Sequence, residues 1–316
     1  MPVSVCLIVN PAAGGGRAGR LAPAAELALR ERGLSVRRAD TRDLDHAREL
    51  AAEAAERGET VLALSGDGMI GALADVLRDM PGALLGVIPG GRGNDLARVL
   101  GIPDDLDGAA AIIAAGHTQP VDLGLVEDRQ PDENQRAPVG RAFVGIASAG
   151  FDSDANRIAN EAPSWLGGLV YLYGALRALL AWTPATFELE LDPPGERHVF
   201  SAFSVGAANS KTYGGGMRAA PGAMLDDGLL EVVVVESIGK LKFLTRILPK
   251  VFAGTHVNEP GVKVFRARAI ALSADRPFTM YADGDPIGEL PLRVSALPGA
   301  VTMLTPEQPG PAFSGS

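Results

Sequence analysis

The sequence predicts an α/β N-terminal domain with a parallel sheet, followed by a second, mostly β domain. Three observations carry this. Through the first third, apolar runs of strand length alternate with helical patterns across short connections. Those runs are near-continuous, which marks strands buried on both faces of a parallel sheet. After Asp122 the pattern changes to β-rich runs separated by Gly, Pro and Asp turns.

The elements follow in order. Residues 3–9 form the first strand, and the Ala/Leu/Glu/Arg-rich stretch 21–32 the first helix. A short strand at 34–38 and a helix at 45–57 come next. Strand 61–64, helix 70–80, strand 84–88 and a helix opening at 95–100 complete the domain. Beyond a polar loop at 127–140, strands are expected at 142–147, 186–191, 199–207, 229–235, 262–272 and 278–282. Residues 164–182, SWLGGLVYLYGALRALLAW, are almost wholly apolar. Arg177 and nearby glycines and prolines favour a buried helix lining an apolar pocket over a membrane span. In KLKFLTRILPKVF, residues 240–252, Lys242, Arg246 and Lys250 recur every fourth residue opposite an apolar face. That pattern suits an anionic membrane interface, while Pro249 favours an ordinary surface helix. PEQPGPAFSGS, at 306–316, reads as a frayed tail.

Composition narrows the function classes. The chain has 316 residues, 47% hydrophobic and 21% charged, which is ordinary for a soluble globular protein with room for two domains. A net charge of −9, with no basic tract carrying interleaved aromatics, argues against a nucleic-acid partner. Cys6 is the single cysteine, so there is no disulfide framework, and a reducing cytoplasm fits. The four histidines show no metal-ligand spacing. The opening MPVSVCLIVN lacks the features of a signal peptide and reads as the first strand. The sequence leaves a homodimer open.

Three strand ends carry glycine-rich turns: Asn10 to Arg17, Ser65 to Gly68, and Pro89 to Asp95. All three should open on one edge of the sheet, where ligands of such folds bind. Glycines before a helix N-terminus present free N–H groups and a favourable dipole to an anion. Asp67 is out of place beside a phosphate unless Mg²⁺ bridges the two; otherwise it is a turn or cap residue. GxxxxGK[ST] is absent. Gly14, Gly16 and Gly19 do spell G-x-G-x-x-G, with Asp40 as the ribose-binding acid of a dinucleotide site. That reading leaves the other two loops unexplained.

Together these residues carry a resemblance. Asn10-Pro11, Ser65-Gly66-Asp67-Gly68 and Gly91-Arg92-Gly93-Asn94-Asp95-Leu96-Ala97-Arg98 resemble the diacylglycerol kinase catalytic domain of bacterial lipid kinases. The series continues through Val121-Asp122-Leu123-Gly124, Gly150-Phe151-Asp152, Tyr213-Gly214-Gly215-Gly216-Met217, Ala220-Pro221 and Asp226 to Leu230, and ends at Asp283-Gly284-Asp285. The later motifs look like this branch rather than the related NAD kinases.

The resemblance implies an α/β domain at 1–122, rejoined by 292–305, and a β-sandwich lipid-binding domain at 123–291, with the active site in the cleft between them. It implies ATP as phosphate donor, with nucleotide contacts at Asn10, Thr41, Ser65, Gly66, Asp67, Gly68, Met69, Ile70, Gly71, Ala72, Gly91, Arg92, Gly93 and Asn94. Asp67, Asp95 and Asp122 match the acidic set tied to catalytic Mg²⁺. A structural Mg²⁺ matches the carbonyls of Met224 and Leu229 with the side chain of Asp227. Asp285 stands where the family has a glutamate general base; aspartate is one methylene shorter with the same chemistry.

The chain also departs from the family pattern. Met69, Gly71 and Ala72 replace a Thr, an Asn and a Glu, and Arg92 replaces a Thr. Backbone N–H groups need no particular side chain, and Arg92 offers a positive charge to the phosphates. The leading expectation is an ATP- and Mg²⁺-dependent kinase of diacylglycerol or a similar lipid alcohol. It would be cytoplasmic and transiently associated with the inner membrane face. The alternatives are a non-catalytic nucleotide or lipid sensor, and a small-molecule kinase like NAD kinase.

Overall fold

A computed structural model of the chain describes residues 3–128, 140–151, 153, 158, 177, 179 and 182–314. The first strands are β1 (Ser4–Val9), β2 (Ser35–Asp40), β3 (Thr60–Ser65) and β4 (Leu84–Pro89), all parallel, in the order β2-β1-β3-β4. β3 is buried throughout and β1 from Val5 to Val9, as continuous apolar runs require. The helices are α1 (Ala13–Glu31), α2 (Leu44–Glu56), α3 (Asp67–Leu77), α4 (Asp95–Leu100) and α5 (Leu106–Ala115). α1 packs with α5, and α2 with α3. The chain therefore leaves β1 toward one side and β3 toward the other. A crevice opens between their carboxyl ends, at the topological switch point of the sheet.

The second half is antiparallel. Its strands are β5 (Thr118–Asp128), β6 (Arg141–Phe143), β7 (Ile146–Gly150), β8 (Ala185–Leu191), β9 (Glu196–Ala208), β10 (Leu230–Glu236), β11 (Val262–Ala267), β12 (Ala269–Ala274), β13 (Thr279–Ala282), β14 (Asp285–Glu289) and β15 (Leu292–Leu304). They build a β-sandwich whose core holds Phe143, Phe187 and Phe203, all nearly inaccessible. Phe203 stacks on Phe243 at 4.8 Å, and Phe151 meets Phe243 edge-on at 4.9 Å. Each such side chain contributes about 1.5–3 kcal/mol by leaving water. β15 runs antiparallel to β5 along its length and to β12 in its first half, and parallel to β4 at Thr302 and Met303. Its register on β5 shifts between Leu297 and Val301.

Several expected elements differ, each for a tertiary reason. The expected strand 142–147 splits into β6 and β7, because the N–H groups of Val144 and Gly145 turn to the Asp283 carboxylate. The expected strand 262–272 breaks at Arg268, where Asp192 Oδ1 accepts the N–H groups of Arg268 (2.7 Å) and Ala269 (3.0 Å). Residues 240–252 form Lys240–Lys242, a wide π turn at Phe243–Ile247, and Leu248–Val251, with Pro249 tolerated in the first turn of the last piece. The expected tail is corrected for residues 306–314. Ala312 and Phe313 are buried in the α/β core, and Leu225 N–H donates to the Ala312 carbonyl at 2.8 Å. An apolar pair within a Gly/Pro-rich end is enough to dock it. The apolar stretch 164–182 lies outside the described residues, apart from Arg177, Leu179 and Trp182. No helix among the described residues is long and apolar enough to cross a membrane.

Candidate active site

The glycine turns meet at the crevice. A Cβ on Gly14 would lie 2.5 Å from the Gly90 carbonyl, and one on Gly91 would lie 2.5 Å from Gly66 Cα. Only residues without side chains let these backbones approach so closely. Gly14, Gly15 and Gly16 take φ of +62°, +68° and +85°, so regular α1 begins after them. Asp40, the acid that a dinucleotide site would use for the ribose, is paired with Arg38 at 2.8 Å.

Several predicted nucleotide contacts are engaged in holding these turns. Asn10 Oδ1 accepts the Ala12 N–H (3.1 Å). Asn94 Oδ1 accepts the Gly91 N–H (2.8 Å), and Asn94 Nδ2 donates to Asp104 (3.0 Å). Thr41, at the carboxyl end of β2, donates its hydroxyl to the Asp43 carbonyl (2.5 Å). Ser65 is buried at the end of β3. Met69 and Ile70 are buried in the α/β core, and Ala72 is 7% exposed at the cleft. Their apolar character is thus a packing requirement. It leaves an anion only the backbone at the start of α3, which follows Gly66 with no side-chain cap. Arg92 is exposed and makes no hydrogen bond or ion pair among the described residues.

The acidic residues divide into three settings. Asp67 is half-buried at the first turn of α3. Its two oxygens accept the N–H groups of Asp95 (3.1 Å) and Leu96 (2.9 Å), capping α4. Desolvation raises its pKa, those N–H groups oppose the rise, and the charge of Asp95 adds to it. Asp67 has no ion-pair partner among the described residues, and an uncompensated carboxylate is the kind of donor that a divalent cation takes. Asp95 is buried; its carboxylate accepts Gly215 and Gly216 N–H (2.7 Å each) and pairs with Arg98 (2.6 Å). It ties α4 to the glycine turn of residues 213–217 from the second half of the chain.

Asp122 sits elsewhere, on β5. It accepts Gly299 N–H and Gly228 N–H, both at 2.7 Å, and so fixes the register shift where β15 passes between the two sheets. Burial raises its pKa, and the charges of Asp227 and Asp226 add to the rise. Asn209, which sequence reasoning missed, joins the same junction by donating to the carbonyls of Asp122 (2.7 Å) and Val144 (2.9 Å). Nothing in the run preceding Tyr213 flags it. Asp227 pairs with Arg266 and accepts Leu229 N–H at 3.0 Å. The structure thus gives Asp227 a partner different from the structural Mg²⁺ implied with Met224 and Leu229. Among the described residues, no three acidic, His or Cys side chains gather to hold a metal.

The third setting is the hairpin β13-β14, whose turn carries Asp283-Gly284-Asp285. It faces α3 across a cleft lined by Gly68, Gly71, Ala72, Phe143, Asp283 and Asp285. Asp285 Oδ2 lies 3.8 Å from where a Cβ on Gly68 would be. Asp283 accepts Val144 and Gly145 N–H at 2.9 Å each, and burial pushes its pKa from 3.8 to about 6 against those two donors. The folded chain therefore keeps this proton where the unfolded chain has lost it. Stability falls as pH rises from 3.8 to about 6, by roughly 3 kcal/mol for this group. Asp283→Ala should flatten, without abolishing, the slope of melting temperature against pH across that window, read by circular dichroism. Asp67, Asp122 and Glu231, whose pKa values burial also raises, add slopes of the same sign.

Comparison with known proteins agrees along the whole chain. Residues 4–126 match the description of the diacylglycerol kinase catalytic domain, and residues 145–305 that of the YegS C-terminal NAD kinase beta sandwich-like domain. A protein named diacylglycerol kinase from Mycobacterium tuberculosis is 34% identical over 307 residues, covering 96% of this chain and 95% of that one. One named "Probable lipid kinase YegS" from Salmonella typhimurium is 28% identical over 290 residues, covering 88% and 89%. Among solved structures, a diacylglycerol kinase from Bacillus anthracis superposes with a TM-score of 0.73 at 23% identity, covering 96% of this chain and 97% of that one. Yeast NADH kinase shares the fold at a TM-score of 0.52 and 9% identity, covering 96% and 83%.

Proposed function

Since the chain belongs to the diacylglycerol kinase catalytic-domain family of lipid kinases, we propose that it transfers the γ-phosphoryl group of ATP to the hydroxyl of diacylglycerol or a similar lipid alcohol, with Mg²⁺ as the divalent ion. One observation carries the reading. Asp285, on the sandwich side of the cleft, presents its carboxylate to Gly68 at the start of α3, on the nucleotide side.

Phosphoryl transfer of this kind is mainly positioning and electrostatics. Backbone N–H groups at the start of α3 hold the phosphates, with Arg92 nearby as a cation that has no partner among the described residues. Asp285 accepts the proton of the lipid hydroxyl. The hydroxyl oxygen bonds to the γ-phosphorus, the bond to the bridging oxygen breaks, and ADP leaves. Asp67 would help hold Mg²⁺, which would neutralise phosphate charge when bound.

The test is purified protein with labelled ATP, Mg²⁺ and a panel of lipid alcohols in mixed micelles, with NAD as a further acceptor. Label in phosphatidic acid or its analogue supports the reading. Label in NAD or only in free phosphate overturns it. Arg92→Ala is expected to raise the ATP KM about 10- to 100-fold, matching loss of a charged hydrogen bond worth roughly 1.5–3 kcal/mol. An unchanged KM would remove Arg92 from the site.

The reading includes transient docking of the protein on the cytoplasmic membrane face. Phe243 and Ile247 anchor residues 240–252 in the sandwich, while Leu241 (74%) and Phe252 (59%) remain exposed. Lys242 and Arg246 project beside them without partners among the described residues, whereas Lys250 pairs with Glu259. Each basic residue near an anionic leaflet contributes about 1 kcal/mol. Lys242→Gln with Arg246→Gln should therefore weaken co-sedimentation with phosphatidylglycerol vesicles by roughly tenfold or more. Undiminished binding would assign docking to another face and leave the chemistry untouched.

A further inference from the structure

The hairpin that carries Asp285 is itself held by a carboxylate that the reaction does not use. Asp283 adopts φ +51°, and its side chain turns inward from the turn. Each of its oxygens accepts one N–H at 2.9 Å: Oδ2 from Val144 and Oδ1 from Gly145. Its own N–H donates to the Ile146 carbonyl at 3.3 Å. The space this carboxylate fills exists because two neighbours lack side chains. A Cβ on Gly145 would lie 2.4 Å from Oδ1, and a Cβ on Gly71 would lie 2.8 Å from Oδ2. Gly68 and Gly71 are three residues apart and share one face of α3. That face meets Asp285 at Gly68 and Asp283 at Gly71.

We propose that Asp283 is a positioning residue that sets Asp285 opposite the start of α3, and that glycine at position 71 is what lets it seat there. The inference rests on the reading of Asp285 as the base. It also accounts for one departure from the family pattern. An asparagine at position 71, which the resemblance leads one to expect, would carry its side chain into Asp283 as this chain places it. Two acceptors are needed at position 283, because both facing groups are N–H donors. Asparagine there would turn an amide NH₂ toward one of them.

The test compares wild type, Gly71→Ala, Asp283→Ala and the double variant, each by turnover and by thermal melting. Gly71→Ala in the wild-type background should lower kcat by roughly 100-fold, the scale of an ångström-level misplacement, with little change in ATP KM, because alanine keeps the backbone N–H through which residue 71 would meet the nucleotide. It should also lower the melting temperature. In the Asp283→Ala background the clash is gone, so Gly71→Ala should cost no further turnover. It should there raise the melting temperature, because alanine is the better helix former. Asp283→Asn should lose turnover as Asp283→Ala does. Full turnover in Gly71→Ala, or the same melting shift in both backgrounds, overturns the proposal. If Asp285→Asn retained full turnover, the base assignment would fail and positioning with it. The reversal of the melting shift would still report whether residues 71 and 283 share this contact.

Discussion

Asp285→Ala is expected to lower lipid phosphorylation by about 10²–10⁴-fold, the contribution of a positioned general base. The ATP KM should change little, because Asp285 projects from the hairpin on the acceptor side and makes none of the contacts between the glycine turns. Asp285→Glu separates base chemistry from reach. It restores the family's residue, one methylene longer, on a hairpin whose backbone is pinned by Asp283. Substantial turnover in Asp285→Glu beside none in Asp285→Ala would identify the carboxylate as the active group. Steady-state kinetics in mixed micelles measures both, and wild-type turnover in Asp285→Ala would refute the site.

Asp67→Ala is expected to abolish most turnover through two separable effects. The first is structural: the N–H groups of Asp95 and Leu96 lose their acceptor, at a cost of about 1 kcal/mol typical of a lost helix cap. A small fall in melting temperature reports this. The second is electrostatic. Asp67 is a carboxylate without a side-chain cation among the described residues, so its removal takes away the anionic donor that fits a divalent ion. That effect should appear as a loss of turnover far beyond what the melting shift explains, and as a weaker dependence on Mg²⁺ concentration. If Asp67→Ala melted lower but turned over normally, Asp67 would be a cap and nothing more.

Much of this was legible beforehand, for identifiable reasons. Strands β1, β3 and β4 announce themselves because a strand covered on both faces must be apolar along its whole length. The glycine turns are legible because close backbone approach excludes side chains, and glycine is the residue that satisfies it. Asp285 was named from its motif. Harder to read were α5 and β5. An Ala/Ile-rich segment at Leu106–Ala115 carries little amphipathic contrast, and β5 crosses from a strand-like run into polar residues at Glu127 and Asp128. Asn209 and Asp283 act through partners more than 60 residues away in sequence, and local pattern does not encode such partners.

The sequence by itself determined the two-part architecture, the edge of the sheet where the glycine turns open, and the family to which its motifs belong. These follow from residue periodicity and from the few residue types that a tight turn or an acid-base step permits. Tertiary structure alone decided what each acid does. Asp67 caps α4, Asp95 ties α4 to the glycine turn of residues 213–217, Asp122 fixes the shift in β15, and Asp227 takes Arg266. The physical reason is that a carboxylate's role is set by the donors it meets once desolvated. Those donors come from segments brought together only when the sandwich closes on the parallel sheet.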